Sequence, residues 1–433
     1  MKYWPLLLST LVVAPALADD WPQWMGPKRD GVWRETGIID KFSADGANIV
    51  WRTPISGGFT GPAVADGKVY VADYLTEGDV KKEVYDRTNF KGKERIHCLD
   101  AKTGKPVWKY EYDCNYTVSY PIGPRCTPTV QDGQCYFLGT EGNLTCLDAA
   151  KGTLIWAKDF KKDYGATTAI WGFASHPLVD GNKLYCVVGG EGSCVVAFDK
   201  DSGKEIWKAI NAEEQGYSAP TMIEAGGTKQ LIVWHATSIN SIDPESGKVY
   251  WKFLLKATDY KMSIMAPRKE GDLLYAGGEG GFGLMIKLAK DKPEASELWR
   301  GTKKIGIYPM ISTPFVEGGH MYGVDQTGHL RCAKMEDGER LWESAQPFDG
   351  KANNAAGAFI VKNGDRFFLF TEKGTLIIAN MSPKGYDEIS RAKILEPTTT
   401  AFGRSVVWSH PAFADGCMFA RNDKEIVCVS LKK

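Results

Sequence analysis

Pro128-Thr-Val-Gln-Asp-Gly-Gln-Cys-Tyr136, followed by Cys146-Leu-Asp-Ala-Ala-Lys-Gly152-Thr-Leu-Ile-Trp156, decides the fold. The first stretch is a short apolar run, a tight Asp-Gly turn and a second apolar run, the pattern of a β-hairpin. Proline at the head of a strand is tolerated because its missing N–H falls at the end of the ladder. The second stretch reads as a third strand starting at a small residue, a Gly turn suited to positive φ, and a fourth strand carrying a large aromatic.

Working outward, the hairpin recurs from Pro62 to Tyr70, Pro177 to Tyr185, Pro267 to Tyr275, Pro314 to Tyr322 and Pro411 to Phe419, with a looser copy at Pro220. Most gaps between these prolines are 43 to 49 residues. The first gap is 66, its surplus matching a charged insertion from Glu77 to Arg95. The last is 97, two periods, and the hidden copy is Gly357-Ala-Phe-Ile-Val-Lys-Asn-Gly364. The second stretch keeps its register as Cys98/Gly104/Trp108, Ala197/Gly203/Trp207, Ser241/Gly247/Trp251 and Cys332/Gly338/Trp342. The fifth copy is stretched over Asp291 to Ser296 and ends at Trp299; the seventh reads Ala379/Gly385/Ile389. A period in the forties with four short strands per copy predicts an all-β, eight-bladed β-propeller of four-stranded antiparallel blades. The eighth copy runs out of chain at Ile426 to Lys433, without a fourth strand. An N-terminal strand around Asn48-Ile-Val-Trp51 is expected to complete it and remove the open sheet edge.

The Ala/Cys/Ser-x-Asp-x-x-x-Gly-x-x-x-Trp segment resembles the tryptophan-docking motif of PQQ-type quinoprotein propellers, in which the Trp stacks on a Gly peptide of the neighbouring blade. Trp21-Pro-Gln-Trp24-Met-Gly26-Pro-Lys-Arg29-Asp-Gly31 resembles the opening of secreted bacterial PQQ-like repeat proteins. The resemblance implies docking roles for Trp51, Trp108, Trp156, Trp207, Trp251, Trp299 and Trp342. It specifies fold and leaves function open.

Lys2, the short apolar stretch Leu6 to Leu17 and Ala16-Leu17-Ala18 read as a signal peptide over 1–18, cleaved after Ala18. The chain is then exported, periplasmic or extracellular, with 19–433 as one propeller domain. No other stretch suits a transmembrane helix. Lys+Arg and Asp+Glu both number 53, for zero net charge, which gives no electrostatic footprint for nucleic acid.

Among the ten cysteines, Cys98, Cys146, Cys332 and Cys428 fall at the small docking position and read as core. Cys114 with Cys126, and Cys186 with Cys194, could each form a disulfide; Cys135 and Cys417 have no assignment. No metal-ligand spacing appears. Gly278-Glu-Gly280-Gly-Phe-Gly283 matches a nucleotide-loop pattern, but a strand follows it where a helix is required, so it reads as a hairpin turn.

In a propeller the first strand is innermost, so residues just before each repeat proline are expected at the channel mouth. The candidate ligand-binding residues are Arg125, Trp171, Ser175, His176, Ser218, Ser312, Trp408 and His410, with Thr60, Met265 and Ser409 in equivalent slots. They would form a polar, aromatic ligand funnel with Arg125 as an anion or carbonyl contact, or merely solvate the mouth.

No catalytic order of residues is visible, so the favoured expectation is a non-catalytic module, monomeric, that binds a protein, peptide or glycan. The resemblance also implies an outer-membrane-protein assembly role, or a PQQ-dependent dehydrogenase using PQQ and calcium. The larger dehydrogenases of that family carry adjacent cysteines over the quinone, and no two cysteines are adjacent here. Outside that alternative no cofactor is expected. A sensor or adaptor role would use the insertion from Glu77 to Arg95 as its partner surface.

Overall fold

The computed structural model describes residues 19–80, 85–255 and 262–433, so the export signal read at 1–18 lies outside the described residues. Eight four-stranded antiparallel sheets follow one another along the chain. Blade one is Ala63–Ala65, Lys68–Thr76, Gly92–Asp100 and Pro106–Asp113. Blades two to seven repeat this order and begin at Thr129, Leu178, Thr221, Arg268, Phe315 and Ala358. Each Asp-Gly turn joins the inner strand to the second, as the hairpin pattern requires.

Blade eight takes Ala412–Ala414, Cys417–Arg421 and Glu425–Ser430 from the C-terminus. Its outer strand is Asn48–Pro54, antiparallel to Glu425–Ser430, with Trp51 opposite Cys428. The ring therefore closes through both ends of the chain, and the strand edge expected of an open array is paired.

The docking contacts follow one rule. A β-bulge beside each small docking residue turns the aromatic of the fourth strand toward the next blade. Its indole Nε1 donates to a carbonyl there: Trp51 to Ala101 at 2.9 Å, Trp108 to Ala149 at 3.0 Å, Trp156 to Lys200 at 3.0 Å and Trp207 to Pro244 at 3.0 Å. Trp299 reaches Met335 at 2.9 Å and Trp342 reaches Ser382 at 2.8 Å. The indoles of Trp51, Trp108 and Trp156 lie on the turn glycine of that blade, where a Cβ on Gly104, Gly152 or Gly203 would come within 2.5–2.7 Å of the ring, whereas Gly385 of blade seven has open space at that position and Trp342 keeps only its hydrogen bond. Gly104, Gly152 and Gly203 also sit at φ near +70°, so two constraints select the residue.

Trp251 departs from the rule. The stretched turn of blade five offers no equivalent glycine, and its indole donates instead to Gln230 Oε1 of its own blade at 3.0 Å. Blade seven carries half-exposed Ile389 in place of the aromatic. At that interface the N-terminal segment supplies buried Trp33, which packs against Phe368 of blade seven and Phe413 of blade eight.

All ten cysteines are free thiols, which corrects both expected disulfides. Cys186 faces Val196, and Cys194 lies two residues further along the partner strand. Such a diagonal spans about 7–8 Å, beyond the usual Cα separation of a disulfide. Cys114 packs with Tyr74 and Tyr116, while Cys126 points to the Phe173 carbonyl in another cluster. Cys98, Cys146, Cys332 and Cys428 are buried core residues as read. Residues 278–283 form the hairpin turn between the second and third strands of blade five.

Candidate functional site

The three residues before each repeat proline, or before Gly357 in blade seven, divide the work around the channel. Position minus two joins neighbouring blades. Ser175 Oγ donates to the Ser218 carbonyl at 2.9 Å, and Ser218 Oγ to the Met265 carbonyl at 2.8 Å. Ser409 Oγ donates to the Gly58 carbonyl at 3.3 Å, whereas Thr60 Oγ1 donates to the carbonyl of Ala72 in its own blade at 2.8 Å. Ser175 and Ser218 are therefore buried in the ring and do not face the cavity, a correction to their reading as ligand contacts.

Position minus three faces the axis in every blade: Phe59, Arg125, Ala174, Tyr217, Ile264, Ile311, Asn354 and Trp408 all line one cavity of about 490 Å³. Trp171, Met262, Met310 and Ser312 add to its wall. The inter-blade connections hold these side chains by packing them in pairs. Trp171 and Tyr217 are 5.6 Å apart, and Trp408 touches Tyr120, Phe402 and Phe59 at 6.2–6.5 Å. Phe402 comes from the small hairpin Thr399–Ala401 with Arg404–Val406. Tyr85 and Asp86 come from the insertion between the second and third strands of blade one, whose strand Thr88–Phe90 pairs with Tyr116–Val118. The insertion thus contributes to the rim.

Position minus one makes the floor together with the N-terminal segment. Trp24 is buried and stacks on His176, with centroids 4.7 Å apart and planes 9° apart; it meets His410 edge-on at 5.8 Å. The segment is strapped across the base of the ring. Trp21 exchanges two backbone hydrogen bonds with Val64 of blade one. Arg29 donates to the carbonyls of Pro177 at 2.5 Å and Pro220 at 3.2 Å, from blades three and four. Arg268 of blade five in turn donates to the carbonyls of Arg29 and Asp30 at 2.9 and 3.1 Å. The result is a funnel blocked at its lower end by Trp24.

Electrostatically the funnel is apolar with few charges. His176 Nδ1 accepts from Thr127 N at 3.0 Å, and burial holds this ring well below the usual histidine range. Burial pushes His410 down to about 3, so both floor histidines are neutral at pH 7. Arg125 donates to the carbonyls of Gly123, Ser119 and Tyr120 at 2.6, 3.0 and 2.8 Å and lies over the Phe59 ring at 5.2 Å. Burial lowers its pKa, with buried carboxylates behind it opposing the shift. Of those carboxylates, Glu94 is held by Tyr112, by Tyr116 at 2.5 Å and by Thr140 N at 2.8 Å. Glu141 is held by Thr168 at 2.7 Å and Lys161 at 2.8 Å. These acids brace blades one and two.

Of the candidates read from sequence, Arg125, Trp171, His176, Ser312, Trp408 and His410 meet in this cavity. Sequence reasoning missed Trp24, Tyr217, Tyr85, Phe402 and Glu279. A frame aligned on the repeat prolines would have found Tyr217, since position minus three is legible in it; no local signal places Trp24 beneath the axis.

The donors do not fit PQQ with calcium. Calcium takes six to eight oxygens, usually with carboxylates among them. The funnel's two carboxylates, Asp86 and Glu279, come from blade one's insertion and blade five's hairpin, and among the described residues no three His, Cys, Asp or Glu converge.

A family model described as outer membrane protein assembly factor BamB matches residues 35–117, 92–294 and 235–433. Among solved structures, BamB from Moraxella catarrhalis has a TM-score of 0.59 at 14% identity, covering 89% of this chain and 99% of that one. The quinohemoprotein alcohol dehydrogenase of Comamonas testosteroni gives 0.62 at 14% identity, covering 95% and 80%. A europium-containing methanol dehydrogenase gives 0.62 at 14% identity, covering 95% and 89%. Identities this low carry the fold alone. No curated protein matches the sequence.

Proposed function

Since the chain belongs to the PQQ-like repeat family whose model is described as outer membrane protein assembly factor BamB, we propose that it is a non-catalytic binding propeller working outside the cytoplasm as a monomer. Its ligand site is the blind funnel. The observation that carries this reading is the wall itself: one position of the repeat frame faces the axis eight times, and it supplies aromatics, aliphatics, one Asn and one Arg, with no carboxylate. Such a wall binds by apolar contact and a few fixed polar groups. Its floor histidines are buried, with His176 Nδ1 occupied by Thr127 N, and its one guanidinium is held by backbone carbonyls.

The test is titration of the mature chain with neutral aromatic compounds, short peptides and oligosaccharides, followed by tryptophan fluorescence. Saturable quenching that Trp171→Ala weakens is expected. In parallel, the chain is incubated with PQQ and calcium and assayed for dye reduction across alcohols and sugars. Turnover abolished by a chelator would overturn the non-catalytic reading and favour a dehydrogenase.

A second reading, a role in outer-membrane-protein assembly, is supported by a different surface. Val50, Val107, Ile155, Ile206 and Leu298 are exposed aliphatics on outer strands, each one residue before a docking tryptophan. Ile155→Lys with Ile206→Lys should then abolish cross-links to a partner in cells while leaving funnel binding unchanged.

A further inference from the structure

We infer that the funnel selects a small zwitterion with a flat apolar body, such as an aromatic amino acid or a dipeptide with both termini free. This inference rests on the funnel being a ligand site. It starts from two charged side chains, Arg125 and Glu279, that make no ion pair among the described residues. Arg125 sits at the wall position of blade two, and its guanidinium meets only backbone carbonyls and the Phe59 face, with no acidic partner among the described residues. Three of its hydrogen bonds are made, which leaves two of the five donors of a guanidinium for a ligand. Glu94 and Glu141 lie behind it and support its charge at a distance, but neither makes an ion pair with it.

Glu279 lines the same cavity from the turn between the second and third strands of blade five, three blades further round the ring of eight. It forms no ion pair among the described residues. One of its carboxylate oxygens is shielded from solvent and receives no hydrogen bond. Asp86, the other acid of the lining, is exposed at the rim.

An unpaired charge facing an apolar concavity is costly, and both costs are relieved by one ligand carrying a carboxylate toward Arg125 and an ammonium toward Glu279. Between these poles the wall offers ring faces, Trp171 and Tyr217 on one side and Trp408 and Phe59 on the other. Ring faces suit a flat apolar body, and they favour an ammonium over an anion. A ligand with several carboxylates would find one guanidinium and meet Glu279 as a like charge. A neutral ligand would leave both charges unpaired.

The experiment is isothermal calorimetry of the mature chain with L-phenylalanyl-L-phenylalanine, its N-acetyl form and its C-terminal amide. The free dipeptide should bind saturably, and each block should weaken binding about tenfold or more, the size of one lost charge-assisted hydrogen bond. Because the ligand is altered, protein folding does not enter. In Glu279→Gln, a side chain whose shielded oxygen holds nothing, the penalty of N-acetylation should vanish and that of amidation remain. Equal binding of all three forms would overturn the zwitterion assignment while leaving the funnel as a ligand site. Failure of all three while a neutral aromatic still quenches the tryptophans would do the same. Failure of every dipeptide and every neutral aromatic would overturn both readings.

Discussion

Ring closure gives the sharpest quantitative test, through Trp51 and Gly104. Trp51 is almost fully buried; its indole lies on Gly104 and its Nε1 donates to Ala101 at 2.9 Å. Trp51→Ala removes the aromatic, leaves a cavity between blades eight and one, and orphans a carbonyl. Truncation of a buried large aromatic costs roughly 3–5 kcal/mol. Gly104→Ala places a Cβ 2.6 Å from the indole at a residue with φ of +68°. The left-handed backbone alone costs about 1–2 kcal/mol, and the overlap adds to it. In the Trp51→Ala background the overlap with the ring disappears, leaving the backbone strain and the contact with Thr53 Oγ1, also 2.6 Å away. The double-mutant cycle should therefore show a coupling of about 1 kcal/mol or more, with Gly104→Ala less harmful in the truncated protein. Urea unfolding with the slope checked for constancy provides the assay. A Trp51→Ala midpoint equal to wild type, or strict additivity in the cycle, would refute the docking argument at the closure.

Two further outcomes follow from buried charge. His176, His410 and His235 all have pKa values depressed by burial, to about 3 for His410 and about 4 for His235. The unfolded chain takes up protons near pH 6.5 while the folded one does not, so stability is complete above that pH and falls as pH drops toward the folded values. Between pH 7 and pH 5.5 each histidine should remove about 1 kcal/mol, and His235→Asn should flatten the slope measured by urea titration at each pH. Arg421 is fully buried at the closure and donates to the carbonyls of Ala72 at 2.6 Å, Asn422 at 3.1 Å and Ser56. Arg421→Met should cost about 2–4 kcal/mol by leaving those acceptors unpaired, read as a lower melting temperature; an unchanged one would remove its role in joining blades eight and one.

The fold was legible because the frame is written in residues whose chemistry is narrow. Proline at a strand head, Asp-Gly in a tight turn, a positive-φ glycine and a docking Trp each have few substitutes, so their spacing survives divergence between copies. The strand at Asn48 could be placed beside Ile426 because the last copy lacked a fourth strand and the first residues of the domain carried one. The site was less legible. Reading the mouth as all residues just before the proline mixed three positions with different fates: Ser175 and Ser218 join blades, while Arg125 and Trp408 face the cavity. Strand alternation could have separated neighbours, but the chain there has left the sheet, so period two no longer applies. Tyr85 and Phe402 arrive from insertions that the frame does not index. The paired cysteines were misplaced because equal distance from a turn does not fix register, and a hairpin offset by two residues sets them on a diagonal.

That division of positions also explains how one propeller can keep its fold while changing what it binds. The minus-two hydroxyls and the docking tryptophans hold the ring through backbone acceptors, so they act whatever side chains neighbouring blades carry. Position minus three faces the axis and packs on the inter-blade connections rather than in the docking contacts. It can be Ala174, Tyr217 or Asn354 in one molecule without disturbing a blade interface. The floor is different, because Trp24 belongs to a strap held by blades one, three, four and five at once. A side chain fixed by that many blades cannot form its stack on His176 until those blades are assembled around the strap. The funnel is therefore closed by a segment placed only when the ring is complete. An unclosed ring would lack the floor on which a ligand rests, so binding in the funnel should report ring closure, and Trp51→Ala should weaken both together.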